Sequence, residues 1–229
     1  SDKAYKPVSG ERPYTYAQGA SGASGTTGLQ TTTQGARLVY VDDTARKDMS
    51  MTLTLSPHKT GAQGFGSAKQ FIDIYFKYDA KTMTGYGLRI ARVPSISDPA
   101  LSSFAAKSCT FTLMEYKNGV AIPLEDSVIS FVLAKKRQST TIFRIINDID
   151  PNAFVSQSAV SNTFTADVTT TTSQDSASSI MPHEVHLSHV FENEVNSYSG
   201  IGFQHTGTSG AGKSGNRVTI HSVSVDYKG

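Results

Sequence analysis

The chain reads as an all-β protein, a jelly-roll β-sandwich of two curved antiparallel sheets with little helix. Three observations predict it. About a dozen short segments alternate apolar and polar residues, the period of a half-buried strand. Charged residues are 17% and hydrophobic ones 38%, and Ser, Thr and Gly fill the difference, a balance that suits sheets and loops better than helices. The run Gln70 to Arg92, QFIDIYFKYDAKTMTGYGLRIAR, reads as a hairpin of two alternating strands around a polar connection.

Taken in order, residues 1–35 are rich in Gly, Ser, Thr and Ala and read as an irregular arm, with Tyr5, Tyr14 and Tyr16 available to anchor it to the domain. Residues 36–229 read as one sandwich domain. Its strands begin with ARLVYV and SMTLTLS and reach the hairpin. Asp98 as N-cap and Pro99 at the first helical position predict a short helix through Lys107. CTFTLMEY and VAIPL form a second hairpin, because Asn118-Gly119 between them is a strong turn signal. SVISFVLA, STTIFRIINDI, NTFTADVTTTT, HEVHLSHVFE, GIGFQHT and RVTIHSVSVDY supply the remaining strands.

Composition narrows the function classes. The net charge of +2 gives no nucleic-acid footprint, and the basic run Lys135-Lys136-Arg137 falls between strands as a solvated turn. No apolar run approaches the ~18 residues of a membrane span. Cys109 is the single cysteine, on a face with Phe111 and Leu113, and reads as a buried, inert thiol. No N-x-[ST] sequon occurs, which favours a non-eukaryotic source.

Three motifs invite a catalytic reading, and each has a plainer one. Gly207 to Ser214, GTSGAGKS, matches the phosphate-loop pattern. That loop needs a strand before it and a helix after it. The residues after Ser214 read as a strand, so the segment reads as a flexible hairpin loop and no nucleotide is expected. His183, His186 and His189 sit on one strand, where His186 faces away from the other two, so they cannot converge on one zinc ion. Glu192 and Glu194 would share a face as a candidate acid pair or close a solvated strand end.

The first hairpin carries the candidate binding face. Alternation puts Ile72, Ile74, Phe76 and Tyr78 on the core side with Tyr86, Leu88 and Ile90. Asp73, Tyr75, Lys77 and Arg89 take the opposite side, either as an ordinary solvated face or as a polar platform for a hydroxyl-rich ligand. Arg144 and His186, on other strands, join the candidate contacts.

The strand succession, the FIDIYFKYD…GYGLRIAR hairpin and the closing NRVTIHSVSVDY strand resemble the concanavalin A-like lectin/glucanase superfamily over roughly residues 36–229. Within it, the chain is most similar to domains of secreted gut-bacterial polysaccharide-degrading systems. The resemblance implies a polysaccharide or oligosaccharide partner bound on a concave sheet, and a secreted or cell-surface location in a bacterium. It also implies a structural calcium ion, for which Asp226 in VSVDY is the expected ligand. The E-x-D-x-E and E-x-D-x-x-E motifs of the laminarinase-like enzymes are absent, as is Trp. The expectation is therefore a lectin-like domain that recognises carbohydrate without cleaving it. The alternatives are a glycoside hydrolase or polysaccharide lyase on the same scaffold, and a structural or protein-binding module.

Overall fold

A computed structural model describes residues 35, 37–40, 44–45, 48–57, 61–65, 70–132, 139–149, 160–170, 184–193, 195–206 and 218–228, with three strands before them; for residues 139–149 it describes the backbone path alone. The strands form two antiparallel sheets. The eight-stranded sheet runs β1 (Lys6–Pro7), β4 (Arg37–Tyr40), β14 (Gly200–His205), β6 (Phe71–Asp79), β7 (Thr84–Arg92), β8 (Ser108–Lys117) and β10 (Val128–Phe131). Its remaining strand, β9 (Val120–Pro123), pairs with the far end of β8. The seven-stranded sheet runs β13 (Glu184–Phe191), β12 (Val160–Thr170), β11 (Ser139–Ile149), β5 (Asp48–Pro57), β15 (Val218–Lys228), β3 (Thr27–Thr31) and β2 (Tyr14–Gln18). This is the jelly-roll sandwich that the alternating pattern predicts.

The core is what the alternation buries. Ile72, Ile74, Phe76, Leu88, Ile90, Phe111, Leu113 and Phe203 come from one sheet. Met49, Met51, Leu53, Leu55, Phe164, Ala166 and Val168 come from the other. Phe76 and Phe164 stack across the interface, with ring centroids 5.8 Å apart and planes at 9°. Each such side chain contributes about 1.5–3 kcal/mol on leaving water. Cys109 is fully buried in this layer, and burial pushes its thiol well above the ordinary value, so it is the inert thiol expected.

Two expectations about local structure change. The segment before residue 36 is not irregular throughout. It supplies β1 to one sheet and β2 with β3 to the other. Tyr14, Thr15 and Tyr16 are good strand formers, and a sheet edge offers unpaired backbone groups that a Gly- and Ser-rich segment can bond to. The helix expected from Asp98 is a 3₁₀ turn over Ser102–Lys107. Asp98 instead closes the preceding turn, accepting from the Ala100 N–H at 2.9 Å with its side chain and from Leu101 N–H at 3.0 Å with its carbonyl. A segment this short cannot offset the cost of helix nucleation, so the tighter turn is the better solution. The Asn118-Gly119 turn forms as expected, with φ of 50° and 83°, the two positive values a type I′ connection requires.

Among the described residues no helix is long and apolar enough to cross a membrane. The phosphate-loop match at 207–214, the basic run at 135–137, His183 and Glu194 lie outside the described residues.

Candidate functional site

The site is a row of side chains that five strands bring into line on the outer face of the eight-stranded sheet. It exists because β14, late in the chain, inserts between β4 and β6. Register then places Gln204 opposite Arg37 on one side and Asp73 on the other. Asp73 faces Arg89, and Arg89 faces Thr112. Direct cross-strand neighbours lie about 4.5–5.5 Å apart, so five polar residues form one continuous band.

The band is hydrogen-bonded along its length. Arg89 grips Asp73 with two parallel bonds, Nε to Oδ1 at 2.8 Å and Nη2 to Oδ2 at 2.9 Å. Its guanidinium also lies 3.7 Å from the centre of the Phe71 ring. Burial disfavours the charge on Arg89, but the bond and attraction from Asp73 outweigh it and raise its pKa. At the other end Gln204 Oε1 accepts from Tyr75 Oη at 2.7 Å and from Arg37 Nη2 at 3.3 Å, while Gln204 Nε2 donates to the Gly35 carbonyl at 2.9 Å.

Beside the polar band runs an aromatic floor. Tyr75 stacks on Tyr78 at 4.1 Å and meets the edge of Tyr116 at 5.0 Å. Both strand neighbours of Tyr75 are glycines, Gly87 and Gly202. A Cβ at Gly87 would stand 2.2 Å from the Ile74 carbonyl oxygen and 3.0 Å from the Tyr116 ring. The missing side chains leave the space in which these rings pack, as aromatic residues do over strand glycines. Burial pushes the Tyr75 and Tyr116 phenols up, with the Asp73 charge adding to the shift, so both stay neutral donors. The Tyr116 hydroxyl lies beside Asp73, whose charge favours its protonated form.

The expected contacts Asp73, Tyr75 and Arg89 are thus brought together, with one change of role. Tyr75 is buried within the aromatic cluster and offers its hydroxyl to the site rather than an open ring face. Lys77 leaves the site. A β-bulge sits between Phe76 and Asp79, with Lys77 in the left-handed region at φ 48°. The extra residue reverses the alternation, so Tyr78 joins the outer face and Lys77 is wholly buried. Burial lowers the Lys77 pKa to about 8, with the charge of Asp48 opposing the shift.

Arg144 and His186 also leave the site, because β11 and β13 belong to the seven-stranded sheet. His186 is exposed there and pairs through Nδ1 with Asp167 Oδ1 at 2.5 Å. His189 points to the other side of β13 and pairs with Glu125 at 2.7 Å, in keeping with strand alternation. Glu192 is exposed beyond the end of β13. Asp226 is exposed on β15, and among the described residues no three acidic, histidine or cysteine side chains gather into a metal-binding group.

Sequence reasoning missed Arg37, Gln204, Tyr78 and Tyr116. Arg37 and Gln204 are 167 residues apart, and only the insertion of β14 makes them neighbours. A local signal did exist. Each is a polar residue at the outward position of a strand whose alternate positions, Leu38 and Phe203, are core.

Together these groups line a depression of about 230 Å³, with Arg37, Phe71, Asp73, Tyr75, Arg89 and Tyr116 joined by Ala121, Gln204 and Thr206. Pockets for drug-sized ligands run to roughly 300–1,000 Å³, so this one suits a single small ring. Its hydrogen-bonding rim and aromatic floor suit a ligand rich in hydroxyls.

Known proteins resemble the chain in fold more than in sequence. A family model described as "Uncharacterized protein conserved in bacteria (DUF2179)" matches residues 125–164. No curated protein matches. Among solved structures, the carbohydrate-binding module CBM66 from Bacillus subtilis superposes with a TM-score of 0.50 at 9% identity, covering 97% of this chain and 94% of that one. Basic winged bean lectin, solved with Tn-antigen, gives 0.50 at 10% identity over 100% and 95%. The binding domain of botulinum neurotoxin serotype D gives 0.51 at 9% identity, covering 98% of this chain but 43% of that one. Two antiparallel sheets, their shared apolar layer and these full-length superpositions establish that the chain has the concanavalin A-like lectin fold.

Proposed function

We propose that the chain is a non-catalytic, lectin-like domain that recognises a polysaccharide or oligosaccharide by seating one sugar residue in the depression on the eight-stranded sheet. The observation that carries this reading is the lining itself, where Arg37, Gln204, Tyr116 and Thr206 present hydrogen-bonding groups around a volume of about 230 Å³. Fold likeness to lectins and to a carbohydrate-binding module agrees with it, although fold alone does not decide function. Recognition without cleavage is the favoured form. Two-carboxylate glycoside hydrolysis needs an acid and a second carboxylate across the scissile bond. Among the described residues Asp73 is the single carboxylate in the lining, and Arg89 holds both its oxygens. We assign the domain to a secreted or cell-surface polysaccharide-processing system of a bacterium, in line with the resemblance in the strand sequence.

A glycan array tests the reading with the wild-type chain and with Ala121→Trp, which puts a large ring into the lining while leaving the apolar layer between the sheets untouched. The expected result is retention on at least one class of glycan and loss of that signal in the variant, with unchanged circular dichroism. Absence of wild-type binding to every glycan would reject the proposal. Release of reducing ends from a polysaccharide panel would instead favour an enzyme.

A further inference from the structure

The lining holds more donors than its own partners satisfy. Buried polar atoms nearly always find a hydrogen bond, and each exception asks for a reason. Arg37 Nε and Tyr116 Oη are both buried without one, and both residues line the depression. Gln204 Oε1 takes Arg37 Nη2, which leaves Arg37 Nε without an acceptor, while Tyr116 Oη lies beside the Asp73 carboxylate that Arg89 also holds.

The charge balance has the same sign. Two arginines and one carboxylate line the depression. Arg89 and Asp73 neutralise each other at 2.8 Å. Arg37 has no acidic partner among the described residues, and its guanidinium lies 5.7 Å from the centre of the Tyr75 ring. A planar guanidinium that has no carboxylate of its own, beside a neutral phenol, is a receptor for a carboxylate or sulfate. We infer that the depression selects an anionic sugar, a uronic acid or a sulfated residue, whose acidic group pairs with the Arg37 guanidinium. This rests on the reading of the depression as a sugar site.

An array that pairs each uronic-acid or sulfated glycan with its neutral counterpart tests the inference on the intact chain. Calorimetry is then run on the best pair, for instance a methyl uronide against its methyl ester, with sodium sulfate as a separate arm. The acidic member is expected to bind about tenfold or more tightly than the neutral one, the usual worth of a charged hydrogen bond. Added salt should shrink that advantage. Arg37→Gln should erase that preference, weakening the acidic member by about tenfold or more beyond any loss shared with the neutral member. If that variant does not fold, the ester comparison still decides, since it removes the charge from the ligand. Equal binding of acidic and neutral members would overturn the inference and leave the sugar reading standing. Binding of sulfate with no saccharide would overturn the sugar reading and leave an anion site. Binding of none of these probes would overturn both.

Discussion

At the scale of single residues, the site depends on buried polar groups that cannot lose their partners cheaply. Asp73 is 3% exposed and holds Arg89 through two bonds. Arg89 is a quarter exposed and can be partly rehydrated, so Asp73→Ala should cost about 1–3 kcal/mol, read by urea unfolding. His205 behaves differently. It is fully buried, and burial lowers its pKa to about 4, against a weaker opposing pull from the backbone of Phe65 and Gly64. Above pH ~6.5 the imidazole is neutral both folded and unfolded and contributes no pH dependence. Between pH ~6.5 and ~4 the unfolded chain binds the proton and the folded one does not. Stability should therefore fall through that window, by on the order of 3 kcal/mol, and His205→Gln should flatten this part of the profile. An unchanged acid slope in the variant would show that other groups set it.

At the scale of elements, glycine and the bulge shape the site more than any polar residue does. Gly87→Ala would drive a Cβ to 2.2 Å from a backbone oxygen, which β7 and β6 can relieve only by separating. The expected cost is about 2–3 kcal/mol, the range of overpacked cores, together with loss of the near-ultraviolet dichroism of the stacked tyrosines. The same elements show where sequence reading succeeds and where it stops. The hairpin, its faces up to Phe76 and the Asn118-Gly119 turn come from period and turn chemistry, which are local. The bulge at Lys77 does not. One inserted residue reverses the alternation beyond it, and nothing in KYDAKTMT marks the position where it occurs. For that reason Tyr78 and Lys77 exchanged sides, and a residue expected at the ligand is buried within range of the Asp48 charge instead.

At the scale of the whole molecule, two sheets share one apolar layer, and Phe164 on β12 meets both Phe76 and Tyr86 of the opposite sheet. Phe164→Ala should therefore cost about 3–5 kcal/mol and unfold the sandwich as one unit, visible as a single calorimetric transition at lower temperature. A variant transition that splits in two would show that the sheets do not depend on each other. The sequence by itself determined the all-β class, the strands from residue 36 onward and most of the residues that fill the core, because burial obeys a period of two that is written in consecutive residues. It also placed Asp73 and Arg89 together, since a hairpin makes neighbours of residues close in the chain. Only the tertiary structure decided the rest of the site. Arg37 and Gln204 meet Tyr75 through the insertion of β14 between β4 and β6, and sheet order of that kind is settled by packing among distant strands. The same sheet order sent Arg144 and His186 to the opposite sheet, where no local pattern could have put them.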